Sequence, residues 1–207
     1  MRARNTVLSV GGTCCTLISF YQLIVLDLAS FYTLFSIGMS LILTIIYRRV
    51  ANKKLFLSWR HGHVIMFWLL LLLVSILIDR IGMQIGYWEY PHYGETDQAR
   101  KYLFEWAAAL FYHLLAFLIG VHVFRKLGAE TVWAAGLSLV IFVTIIGLIT
   151  ESLNIQVYSW KITKMPFSNY RIGEYFLVFQ TLGYWLMAII PYALFVGLKK
   201  LATRQSA

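Results

Sequence analysis

The sequence predicts an all-α fold: a polytopic membrane helix bundle with six transmembrane helices. Three observations carry that expectation. Of 207 residues, 60% are apolar and 13% are charged, against roughly 45–50% and about 25% in globular domains. The apolar residues fall into six long runs, near 6–26, 28–47, 63–81, 104–124, 131–150 and 174–198. The basic residues gather between alternate runs.

Each run reaches the roughly 20 residues a helix needs to cross about 30 Å of hydrocarbon. Backbone in lipid must satisfy its own hydrogen bonds, so these runs are helices. Stretches such as Trp68 followed by Leu69 to Leu73 do not alternate, which argues against an outer-membrane barrel. The same composition excludes disorder, which needs low hydrophobicity and high charge. The two cysteines, Cys14 and Cys15, are neighbours and cannot staple distant segments. Arg2 and Arg4 precede the first run, but Gly12-Thr13-Cys14 is a poor cleavage site and the apolar run continues past it. A first membrane helix is expected there rather than a cleaved signal.

Orientation follows from the basic residues. Arg2 and Arg4 precede helix 1, and Arg48, Arg49, Lys53, Lys54 and Arg60 separate helices 2 and 3. Arg125 and Lys126 separate helices 4 and 5, and Lys199, Lys200 and Arg204 follow helix 6. If every run crosses once, all four groups share a face, which the positive-inside rule makes cytoplasmic. Both termini are then cytoplasmic, in a multi-pass protein of the plasma membrane. The net charge of +9 is explained by this asymmetry, and no nucleic-acid partner is expected. The opposite face carries two longer loops, about 82–103 and 152–173. Every acidic residue except Glu130 lies on or near that side.

Within one integral membrane domain covering 1–207, two repeat units are expected, about 63–125 and 131–198. Helix 3 ends in Asp79-Arg80-Ile81-Gly82-Met83-Gln84-Ile85-Gly86-Tyr87-Trp88. Helix 5 ends in Glu151-Ser152-Leu153-Asn154-Ile155-Gln156-Val157-Tyr158-Ser159-Trp160. Acid, turn residue, Gln and Trp align without a gap, 72 residues apart. After each loop a new helix opens with a basic residue and then Glu-aromatic: Lys101 before Glu105-Trp106, and Arg171 before Glu174-Tyr175. An even number of crossings separates the copies, so the repeat is parallel. Parallel repeats in transporter folds place a shared site at their interface.

The acids Asp79, Glu105, Glu151 and Glu174 are therefore candidate catalytic residues. Asp79 and Glu151 are expected at helix C-terminal ends, where the dipole disfavours an anion. Glu105 and Glu174 are expected at N-terminal ends, where a carboxylate is favoured and can cap free N–H groups. A protonated acid beside a charged one is the layout for donating and recovering a proton. The alternative is ordinary pairing of Asp79 with Arg80 or a nearby lysine. Trp88, Tyr90, Trp160, Gln84 and Gln156 are candidate substrate contacts, the two glutamines at matched positions of the repeat. Such rings either form an interfacial belt or offer π faces to a cation.

Asp79, Trp88 and Tyr90 form D-x8-W-x-Y, with Glu105 following at a helix start. This pattern resembles the lycopene cyclase domain of heterodimeric and fused carotenoid cyclases. The segment Arg171-Ile172-Gly173-Glu174-Tyr175-Phe176-Leu177-Val178-Phe179-Gln180-Thr181 resembles that family's P-I-E-E-Y-x-F-F-x-x-Q-T helix start. Arg171 and Gly173 stand where the family has Pro and its first Glu. Lys161-Ile162 stands where the second W-x-Y would continue. Membrane carotenoid hydratases share the acid before a Gly/aromatic loop, and the resemblance does not separate the two activities. It covers helices 3 to 6. It implies a cofactor-independent isomerase acting on an apolar polyene or isoprenoid lipid. A carboxylic acid protonates a terminal alkene, the carbocation closes a ring, and a base removes a proton. The competing expectation is a non-catalytic membrane subunit or a lipid- or pigment-binding protein, alone or within an oligomer or larger complex.

No metal site is expected. His61 and His63 flank the start of helix 3, beside Arg60, and read as a solvated basic end. His113 and His122 are nine apart, about 180° around one helix, and share no face. His92 has Glu95 and Asp97 nearby but no ligand spacing. The adjacent Gly11 and Gly12 are expected to allow close helix packing.

Overall fold

The computed structural model describes residues 2–26, 28, 30–56, 59–92, 94, 100–164, 171–172 and 175–204. It is an all-α bundle of six helices, each long and apolar enough to span a bilayer. The helices are α1 (Arg2–Ile24), α2 (Phe31–Ala51) and α3 (His61–Ile85). They are followed by α4 (Lys101–Lys126), α5 (Thr131–Val157) and α6 (Leu177–Arg204). The protein is a multi-pass membrane protein.

At the centre stands α4. Its residues from Ala107 to Gly120 are buried without interruption, and it packs on α2, α3, α5 and α6. That explains a sequence with apolar or small residues on every face. A helix apolar all round is one enclosed by other helices or by lipid. The outer helices carry their large apolar side chains outward, as Leu69 and Leu73 on α3 and Val140 on α5 do. In water this surface would be untenable; in hydrocarbon it is the expected exterior. The first helix packs chiefly on α2. Gly12 lies there within van der Waals reach of Gly38, where a side chain on Gly38 would strike Thr16 backbone.

The ends of the bundle differ. At one end lie the basic residues, and Lys126 donates to the Val50 carbonyl at 2.6 Å, joining the last turns of α2 and α4. Phe56 and Trp59, in the α2–α3 connection, pack on Phe67 of α3 and Phe195 of α6. At the other end the two long loops meet. Trp88–Glu89 (β1) pairs antiparallel with Lys161–Ile162 (β2), with Trp88 opposite Ile162 and Glu89 opposite Lys161. Thr163 extends the contact by donating to the Tyr87 and Gly86 carbonyls. A second short pair, Arg171–Ile172 (β3) with Tyr175–Phe176 (β4), precedes α6.

The structure departs from the sequence reading at helix ends. The third helix runs on to Ile85 and the fifth to Val157, so Asp79 and Glu151 each sit six residues inside. Each helix then closes on a left-handed residue at the same repeat position, Gly86 (φ 77°) and Tyr158 (φ 49°). The fourth helix begins with a π-helical stretch, Lys101–Trp106, so Glu105 lies beyond the first turn. The sixth begins at Leu177 instead of 174 because Tyr175 and Phe176 are taken by β4.

Candidate functional site

The site lies beneath the paired loops. Its first element is Asp79 on α3, fully buried. The chain leaves α3 at Gly86 and folds back, so Trp88 lands over Gly82. A Cβ at Gly82 would sit 2.0 Å from the indole; only glycine leaves room. The Trp88 indole N–H then donates to Asp79 Oδ1 at 3.0 Å, and the Tyr90 hydroxyl donates to the same oxygen at 2.6 Å. From the start of α4, the Tyr102 hydroxyl donates to Oδ2 at 2.8 Å and Lys101 Nζ lies 2.9 Å from it. Lys101 is itself buried, 4.1 Å above the Tyr90 ring centre, and Trp106 donates to the Tyr90 hydroxyl at 2.7 Å. Four donors therefore saturate Asp79, one of them an ammonium. Asp79 is the acid of an ion pair, and its partner is Lys101 rather than Arg80.

Glu151 on α5 is the second element, also buried. The Trp160 indole N–H donates to its Oε2 at 3.3 Å, which repeats the Trp88–Asp79 bond over the same nine-residue interval. The Tyr184 hydroxyl, from α6, donates to Oε2 at 2.7 Å, and Asn154 Nδ2 approaches Oε1 at 3.3 Å. Where Gly82 makes space for Trp88, Asn154 grips Trp160 instead. Its amide donates to the Trp160 carbonyl at 2.8 Å and accepts from the Trp160 N–H at 3.1 Å. The side chains that bond Glu151, from Trp160, Tyr184, Asn154 and Gln180, are all neutral. Among the described residues, no lysine or arginine forms an ion pair with it.

Glu105 supplies the third carboxylate. It is buried in the π-helical stretch of α4. Thr33 of α2 donates to its Oε1, and Arg100 Nε lies 3.8 Å from the same oxygen.

Glu105 and Glu151 front one cavity of about 450 Å³ between α3, α4, α5 and α6. Its upper walls are π faces: Trp88, Tyr90, Trp106, Trp160 and Tyr32. The Tyr32 ring meets Trp160 edge-on at 4.6 Å, and Trp88 lies 6.0 Å from Trp106. Its deeper walls are aliphatic, from Ile78 and Ile81 of α3 to Leu186 and Ile190 of α6. A short hydroxyl chain runs behind it, Tyr32 to Tyr112 at 2.8 Å and Tyr112 to Thr150 at 3.1 Å.

Of the residues singled out from sequence, Glu105, Glu151, Trp88, Tyr90 and Trp160 meet at this cavity. Asp79 lies behind Trp88 and Tyr90, as their anchor. Gln84 and Gln156 do not join them; both are exposed. Five residues separate each from its acid, about 140° around a helix, so acid and Gln cannot face the same way. Glu174 lies outside the described residues. Sequence reasoning missed Tyr32, Thr33, Tyr102 and Tyr184 as partners of the acids. No spacing links them to the acids, since they arrive from other helices. His113 and His122 bond to carbonyls of their own helix, at 2.8 and 2.9 Å. Among the described residues no group of three or more metal-binding side chains forms.

Comparison with protein-family models, with curated proteins and with solved structures found no match to this chain.

Proposed function

We propose that this protein is a membrane-embedded cyclase of a linear polyene or isoprenoid lipid, working by proton transfer without a redox cofactor. The observation that carries the reading is the pairing of two buried carboxylates of unlike surroundings on one π-walled, otherwise apolar cavity. Glu151, held by neutral donors alone, is the general acid. Its proton adds to a terminal trisubstituted alkene, giving a tertiary carbocation. An internal alkene attacks that carbon and a ring C–C bond forms. The new cation loses an adjacent proton to Glu105, whose carboxylate is held by Thr33 and Arg100. One proton enters and one leaves, so product and substrate are isomers. Trp160, Tyr32, Trp88 and Trp106 present π faces where the positive charge develops, an attraction worth about 2 kcal/mol or more when desolvated. Asp79 and Lys101 do no chemistry in this scheme; their ion pair fixes Trp88 and Tyr90 in the wall. The resemblance of Asp79-x8-Trp88-x-Tyr90 to the lycopene cyclase domain supports the same reading. The basic clusters support a cytoplasmic-membrane location with both termini inside.

One observation favours a second reading. The ion-paired, fully bonded Asp79 is what a non-catalytic lipid- or pigment-binding subunit would carry. Expression in a host that accumulates a linear polyene separates the two. A cyclase yields a ring-containing isomer of identical mass, and Glu151→Gln lowers its yield by about 10²-fold or more. A binding protein co-purifies with the unchanged polyene.

A further inference from the structure

We propose that the cavity is entered sideways from the bilayer, through a slot between α3 and α6. Its occupant is one end of a linear isoprenoid chain whose remainder stays in the lipid. This rests on the cyclase reading for the chemistry of the chain, but the entrance rests on geometry of its own.

Ile81 and Ile85 of α3 and Leu186 of α6 line the cavity, yet they are 53%, 49% and 54% exposed. Side chains that are both cavity wall and outer surface mark an opening. That opening lies on apolar helix faces which, in a membrane-spanning bundle, meet lipid rather than water. On the loop side the described residues form a cover instead: β1 pairs with β2, and Thr163 ties β2 back to Tyr87 and Gly86. The α6 wall runs from Gln180 to Ile190, about 15 Å along the helix at 1.5 Å per residue. A longer chain must leave its tail outside, and the slot is where it leaves. The end inside reaches Glu105 and Glu151; the tail passes Ile81 and Leu186.

Photolabelling in nanodiscs tests this. The probes are two linear 20-carbon isoprenoid alkenes, one with a diazirine near the reactive terminus and one with it at the far end. The first is expected to label Trp160 and Tyr184, and the second Ile81 and Ile85, each site resolved by fragmentation of the labelled peptides. The double variant Ile81→Trp/Leu186→Trp, on lipid-facing positions, is expected to lower labelling at Tyr184 at least tenfold. Ile189→Trp, on α6 but outside the cavity, is expected to leave it unchanged. Labelling spread evenly over the outer faces of α1 and α5, or a double variant labelled like wild type, would overturn the entrance. Correct labelling with no ring formation would defeat the cyclase reading and leave the entrance standing. Ring formation undiminished in the double variant would do the reverse.

Discussion

Glu89 and Lys161 stand opposite each other in the β1–β2 pair, and each is the other's counterpart in the 72-residue repeat. Trp88 lies opposite Ile162, the counterpart of Tyr90. A register in which a residue meets its own copy is what a two-fold axis through the pair requires. The acid–Trp bonds and the left-handed closures at Gly86 and Tyr158 follow the same offset. We therefore expect α3–α4 and α5–α6 to superpose as one unit, with Asp79 on Glu151, in a cryo-electron microscopy map of the protein in nanodiscs. Unrelated crossing geometry in the two pairs would contradict the repeat.

The ion pair makes a prediction about stability. Removing one member of a buried pair strands a charge at a cost of about 3–5 kcal/mol, whereas replacing both is often near neutral. Lys101→Met should lower the thermal unfolding midpoint in detergent substantially. Asp79→Asn/Lys101→Met should recover most of that loss. A double variant no better than Lys101→Met alone would mean the pair is not the unit that matters.

Two glycines separate close approach from backbone conformation. Gly82→Ala puts a Cβ against the Trp88 indole and should expel it from Asp79, with a visible change in tryptophan fluorescence. Gly86→Ala meets no neighbouring atom and should cost only the left-handed penalty, about 1–2 kcal/mol. Equal effects from the two would be evidence against the packing described.

How much of this was legible in the sequence divides by range. Helix number and the acid-to-Trp spacing are local, and both were readable, because nine residues span a helix end and its return loop. The partner of Asp79 was not, since Lys101 comes back after a loop whose path no spacing encodes. Glu105 depends on Thr33 and the cavity wall on Tyr32, both from α2, a helix whose sequence carries no hint of the site. The Gln84 and Gln156 match was a true regularity that points outward; the 100° helical step, applied to the five-residue interval, already separates them from the acids.

Orientation has its own test. With Cys14 and Cys15 replaced by serine, Lys161→Cys should react with an impermeant maleimide applied to intact cells, and Asn52→Cys only after permeabilisation. The opposite pattern would invert the topology and place the site toward the cytoplasm.

Donor removal grades the role of Glu151. Tyr184→Phe deletes its shortest hydrogen bond while keeping the ring, and a loss of about 1.4 kcal/mol in transition-state stabilisation is about tenfold in rate. Glu151→Gln deletes the acid itself and should cost about 10²–10⁴-fold. Equal rates for Tyr184→Phe and wild type, measured as ring formation, would detach Tyr184 from the reaction.

In the proposed reaction a protein carboxylic acid delivers a solvent-exchangeable proton to carbon. Reconstituted protein and linear polyene, incubated in heavy water, test it directly by mass spectrometry of the ring product. The expected product is one mass unit heavier than that formed in ordinary water, with the deuterium on a ring carbon, and Glu151→Gln forms it at least about 10²-fold more slowly. A ring product carrying no deuterium, or undiminished deuterated product from Glu151→Gln, would contradict it.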